Sequence, residues 1–97
     1  MKQIKVVVPW KEGLHMRPAA RLVKMAMKHQ SSILLQCGEK LADMRSIVSI
    51  LSLCASMGMT LDIVATGEDE REVTRAVEQI FCGHDAPHET PPPSSSL

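Results

Sequence analysis

Residues 59–83, MTLDIVATGEDEREVTRAVEQIFCG, decide the fold class. Met59, Leu61, Ile63 and Ala65 alternate with Thr60, Asp62, Val64 and Thr66, which predicts a strand with one apolar face. After Gly67 the apolar spacing becomes helical, with Val73, Ala76, Val77 and Ile80 on one side. Asp69 followed by Glu72 has the spacing of a capping box, acids in a first turn suit the helix dipole, and Gly83 stands where a helix stops. A strand with one apolar face, followed by an amphipathic helix, calls for helices on one side of a sheet.

The rest of the chain extends this pattern. Ile4, Val6 and Val8 alternate with Gln3 and Lys5 in a strand over residues 3–8, stopped by Pro9. Residues 10–14, with Gly13, read as a loop. From Met16 to about residue 29 the period is helical, with Ala19, Ala20, Val23, Ala26 and Met27 on one face and Arg17, Arg21, Lys24 and Lys28 as a basic stripe. Ser31 and Ser32 break that helix, residues 33–37 form a second strand, and Gly38 and Glu39 turn into a short strand over 40–43. A second helix opens near Ser46, carries Ile47, Ile50, Leu51 and Cys54 as its apolar stripe, and ends before Gly58. The order β-α-β-β-α-β-α describes a two-layer α+β sandwich without internal repeats. Residues 1–83 form the domain; residues 84–97, with four prolines and almost nothing to bury, read as a disordered tail.

Composition narrows the function. Eleven basic and eleven acidic side chains cancel, which argues against nucleic acid and anionic membranes as partners. Near-absence of aromatics removes the stacking platforms of single-strand binders. Only three consecutive apolar residues precede Pro9, too few for a signal peptide or a membrane span, so a soluble cytoplasmic protein is expected. Cys37, Cys54 and Cys82 are an odd count without paired spacing and read as buried or half-buried thiols in a reducing compartment. His29, His84 and His88 show no metal-ligand spacing and are expected in solvent. The methionines are expected mostly as core filling.

Chemistry concentrates in residues 13–19, GLHMRPA. His15 lies at the start of a helix after a glycine loop, where the first backbone N–H groups lack internal partners and the dipole is positive. Such a mouth attracts phosphate. Arg17 adds charge-assisted contacts to phosphate oxygens, and Pro18 is tolerated in a first turn because its missing N–H has no partner to lose. Imidazole is nucleophilic near neutral pH, and its phosphoramidate is labile enough to be handed on. The bland alternative is a histidine that merely caps a helix beside a solvated arginine. The four features together favour the phosphoryl site.

The run GLHMRPAARLVK resembles the active-site segment of the HPr family, the histidine-containing phosphocarriers of the bacterial phosphoenolpyruvate-dependent sugar phosphotransferase system. Gly13, Leu14, His15, Arg17, Pro18 and Ala19 match the pattern G-[LI]-H-x-R-P-A. Arg45, Ser46 and Ile47 opening a helix, with Leu53 and Gly58 before a strand, resemble the family's regulatory-serine segment. The resemblance spans residues 2 to about 82. It implies an open-faced β-sandwich, a four-stranded antiparallel sheet with three helices on one face. It also implies a carrier rather than an enzyme, without cofactor or metal, working as a monomer. Enzyme I would phosphorylate Nδ1 of His15, and an enzyme IIA would accept the group in sugar uptake. Met16, Arg21, Lys24 and Ile47 become candidate partner contacts. Ser46 becomes the target of a serine kinase or phosphorylase, set against a plain N-cap role.

Two alternatives remain: a regulatory phosphorelay of the nitrogen-related branch, or a Ser46-phosphorylated regulator, not coupled directly to sugar transport. The chain departs from the family at Glu12, where relatives often carry Asn or Ser. A carboxylate there can repel the phosphoryl group, pair with Arg17 or point to solvent.

Overall fold

A computed structural model describes residues 1–82. Strands β1 (Lys2–Val7), β2 (Ser32–Cys37), β3 (Lys40–Asp43) and β4 (Thr60–Thr66) and helices α1 (Met16–Met27), α2 (Ile47–Leu51) and α3 (Glu70–Phe81) follow the expected order. The four strands form one antiparallel sheet in the order β1-β4-β2-β3. Because β1 and β2 each run antiparallel to β4, they are parallel to each other, and α1 is the crossover between them. In the same way α2 carries the chain from β3 to β4, so two β-α-β units interleave.

Strand periodicity produces the two layers. Leu35 faces Ala42 on one side and Ile63 on the other, and Ile63 in turn faces Ile4, making one apolar row across the sheet. Leu22, Ile50, Val73, Val77 and Phe81 from the helices close over that face. Fully burying one such side chain contributes about 1.5–3 kcal/mol. The opposite face stays open, carrying Lys5 bonded to Asp62 at 2.8 Å, with Leu34 and Leu41 exposed.

Several local expectations are corrected. The buried face of α1 is Pro18, Ala19, Leu22 and Ala26, whereas Met27 is exposed. Leu22 sits one turn after Pro18 and one turn before Ala26, so it, and not Met27, completes the stripe. Helix α2 has only five residues, and Cys54 lies beyond it, exposed, with φ +53°. Leu53 and Ala55 take the buried places there. Cys82 is exposed and Cys37 half-buried, so no thiol is fully buried among the described residues.

Methionine is mainly a surface residue here. Met44 is fully buried, but Met16, Met27, Met57 and Met59 are exposed. His29 is not simply solvated: its Nδ1 lies 2.9 Å from the Met25 carbonyl at the end of α1. The histidines at 84 and 88, Gly83 as a stop and the expected disordered tail lie outside the described residues.

Asp69 occupies the N-cap of α3, but its side chain does not cap. Its carboxylate accepts the N–H groups of Gln30 and Ser31 and the Ser31 hydroxyl, tying α3 to the segment that enters β2. The Ser31 hydroxyl and the Gln30 amide hold the Asp69 carboxyl below its ordinary value, against a smaller opposing effect of desolvation. Glu70 accepts the Gly67 N–H at 3.1 Å and the chain's amino terminus at 3.0 Å, the terminus being the larger cause of its lowered pKa.

Candidate functional site

The loop between β1 and α1 is clamped from two sides. Val8 exchanges backbone hydrogen bonds with the segment before β4, donating to Met59 and accepting from Gly58, both at 2.9 Å. Trp10 packs on Phe81 of α3, ring centroids 5.2 Å apart and tilted by 49°, a favoured aromatic geometry. Gly13 N–H bonds the Trp10 carbonyl and Leu14 N–H bonds the Ala55 carbonyl, each at 2.9 Å. Leu14 is buried beneath the loop. Gly13 has φ +77°, and a Cβ there would lie 2.5 Å from the Ala55 oxygen, so the close approach of the two loops requires glycine.

This frame delivers His15 to the N-cap of α1 in extended conformation, with no side-chain cap bond. Its carbonyl accepts the Ala19 N–H at 3.0 Å, starting the helix. Pro18 has no N–H, and the amides of Met16 and Arg17, in the first turn of the helix, have no acceptors among the described residues. The first turn of α1 contains no acid, in contrast to Glu70 and Glu72 in the first turn of α3. The positive end of α1 is therefore open to an external anion. The imidazole is 35% exposed, accessible yet seated against the loop.

Arg17 is exposed, and no ion pair among the described residues engages it. Glu12 does not pair with it: its Oε1 lies 3.6 Å from Nε2 of His15. The contact with His15 was not among the possibilities raised for Glu12, although the i,i+3 spacing was visible; the side chain is otherwise largely in solvent, 73% exposed. Met16 is 59% exposed, Ile47 and Arg21 are half-buried, and Lys24 is exposed. Val48 is 74% exposed beside Ile47. Ser46 caps α2, its hydroxyl accepting the Ser49 N–H at 3.2 Å. The contributions of Ala55, Trp10 and Phe81 carried no sequence signal, because they act through a backbone carbonyl and through packing.

An open-faced sandwich with an exposed histidine at a helix mouth, two unpartnered amides and a neighbouring arginine defines a phosphohistidine carrier. The chain belongs to the HPr family: residues 2–82 match the family model described as the phosphotransferase-system HPr component phosphorylation site. It is 32% identical over 81 residues to the phosphocarrier protein HPr of Mycoplasma capricolum, covering 84% of this chain and 91% of that one. It is 40% identical over 72 residues to the HPr-like protein Crh of Bacillus subtilis, covering 74% and 85%. The crystal structure of HPr from Thermoanaerobacter tengcongensis superposes with a TM-score of 0.81 at 35% identity, covering 86% of this chain and 93% of that one. The protein is thus a phosphocarrier of the phosphotransferase system and not itself an enzyme. Among the described residues no helix is long and apolar enough to cross a membrane.

Proposed function

We propose that this chain takes a phosphoryl group from phospho-enzyme I onto Nδ1 of His15 and passes it to an enzyme IIA during sugar uptake. The observation that carries the reading is the half-exposed imidazole at the N-cap of α1 beside the unpartnered Met16 and Arg17 amides. The Nδ1 lone pair attacks phosphorus as the bond to the donor nitrogen breaks, and that nitrogen keeps the bonding electrons. The amides and the Arg17 guanidinium receive the charged oxygens without reorganising. The reverse exchange delivers the group to the acceptor. Met16, Arg21, Lys24 and Ile47 form the rim on which acidic and apolar partner surfaces dock. Residues 1–83 suffice as the carrier unit, which works as a cytoplasmic monomer.

The test is incubation with enzyme I and labelled phosphoenolpyruvate. The label should be acid-labile and base-stable, and absent from His15→Ala; undiminished label on that variant would refute the assignment.

A second reading is regulatory, favoured by the likeness to Crh, whose solved structure is described as the catabolite repression HPr of Bacillus subtilis (TM-score 0.61, 35% identity). In this reading Ser46 is phosphorylated by a serine kinase and dephosphorylated by a phosphorylase. A phosphate there suits the helix dipole, so the fold survives, while the added charge repels an acidic partner. Ser46→Asp should slow transfer from enzyme I, with the defect shrinking at high salt. Equal rates for wild type, Ser46→Ala and Ser46→Asp would leave Ser46 as a helix cap.

A further inference from the structure

Glu12 is the acid within ion-pair reach of His15 among the described residues, and it approaches one particular nitrogen. An imidazole carries Nδ1 and Nε2 on different edges, and in the neutral ring one bears the proton while the other offers a lone pair. An ionised carboxylate only accepts hydrogen bonds. Placed at Nε2, it favours the tautomer with the proton on Nε2, and the lone pair is then on Nδ1. The second atom of a histidine ring is commonly oriented this way by a carboxylate or carbonyl.

The backbone sets this arrangement. The Gly13 N–H bond to Trp10 and the Leu14 N–H bond to Ala55, both 2.9 Å, fold residues 12–15 back so that Glu12 meets the ring. His15 N–H also bonds the Gly13 carbonyl at 2.9 Å, closing the turn between the two side chains. With Glu12 on Nε2, its negative charge stands away from the nitrogen that would carry phosphorus. Arg17 is left unpaired with it.

We propose that Glu12 is a positioning residue for phosphoryl uptake: its charge, 3.6 Å from Nε2 and so acting through the field rather than through a hydrogen bond, biases the His15 proton toward Nε2 and leaves the Nδ1 lone pair for the donor. This rests on the reading of His15 as the phosphoryl acceptor. The 3.6 Å separation and the 73% exposure of Glu12 set the scale of the effect. An exposed pair of this kind biases an equilibrium by about two- to fivefold.

The experiment uses the full chain with 15N-labelled histidine, as wild type, Glu12→Gln and Glu12→Ala. Long-range 1H–15N spectra at a pH of about 8.5, roughly two units above the ordinary imidazole value, give the tautomer ratio of His15 directly. In a second arm each protein is phosphorylated with phosphoramidate, a small donor that needs no docking surface, and the Nδ1 to Nε2 product ratio is read by 31P and 15N NMR. A third arm measures phosphorylation by enzyme I.

The expected result is a fall in the Nε2–H tautomer and in the Nδ1 product ratio of about two- to fivefold in Glu12→Ala. Glu12→Gln, which keeps the shape but loses the charge, should fall close to Glu12→Ala. Identical ratios in all three proteins would overturn the role of Glu12 while leaving His15 as acceptor. A wild type that enzyme I does not phosphorylate would overturn the acceptor reading, and the positioning role with it, whatever the tautomer ratios show.

Discussion

Replacing Gly13 with alanine tests whether the loop that carries His15 is held by its backbone contact with residues 55–56. Two costs follow from the structure. The left-handed conformation at φ +77° costs a residue with a Cβ about 1–2 kcal/mol. The added carbon would lie 2.5 Å from the Ala55 oxygen and 3.2 Å from Ser56 Cα, well inside ordinary contact. Relief requires the Ala55 carbonyl to move, and that carbonyl accepts the Leu14 N–H at 2.9 Å. Losing that bond costs about 0.5–1.5 kcal/mol more.

The sum is about 1.5–3.5 kcal/mol, or a fall in Tm of roughly 6–28 °C for a domain of this size. Gly38→Ala is the internal control: φ is +63° but nothing lies within 4 Å of its Cβ position, so only the conformational cost applies. Urea and thermal unfolding followed by circular dichroism, with Trp10 fluorescence as a second probe, measure both variants. Phosphorylation by enzyme I in the cold should also slow for Gly13→Ala and not for Gly38→Ala. Equal destabilisation of the two variants would refute the argument, because it would mean that the loop shifts freely and does not locate His15.

Arg17→Ala should slow phosphoryl transfer by about one to two decades without abolishing it, since one charged hydrogen bond is lost while the helix amides remain; an unchanged rate in a quench-flow assay would place Arg17 outside the reaction. Cys54→Gly should raise stability by about 0.5–1.5 kcal/mol in urea titrations, because φ is +53° and the exposed thiol gives up little packing. Asp69 has a lowered carboxyl pKa, so its contribution is fully present above the unfolded value and is lost as pH falls through the folded one. Asp69→Asn should therefore destabilise the protein near neutral pH and flatten the acid limb of its stability curve; parallel curves for mutant and wild type would show that the ionisation of Asp69 is not linked to folding.

Much of the architecture was legible because its signals are local. The alternation in residues 59–66 placed Leu61, Ile63 and Ala65 on the buried face, and the short strand over residues 40–43 has the bounds that Gly38 and Glu39 predicted. The site was legible for the same reason: a glycine, a histidine, an arginine and a first-turn proline within seven residues specify a helix mouth that is short of acceptors. What the sequence by itself determined was therefore the kind and order of the elements, the apolar face of β4, and a helix mouth short of acceptors, while the apolar stripes of α1 and α2 came out differently in the packed structure.

Only the tertiary structure decided who neighbours whom. Periodicity reports that a strand has a buried face and not which strand lies beside it, so the order β1-β4-β2-β3 comes from long-range pairing. Asp69 and Glu72 have capping-box spacing, yet the Asp69 side chain makes no cap bond and takes the Ser31 amide 38 residues away, a donor that only the packed fold brings to it. Glu12 met His15 and not Arg17 because the backbone bonds to Trp10 and Ala55 curl the loop toward the ring. The partner of a polar side chain is set by distances in space, and those exist only once the elements have packed.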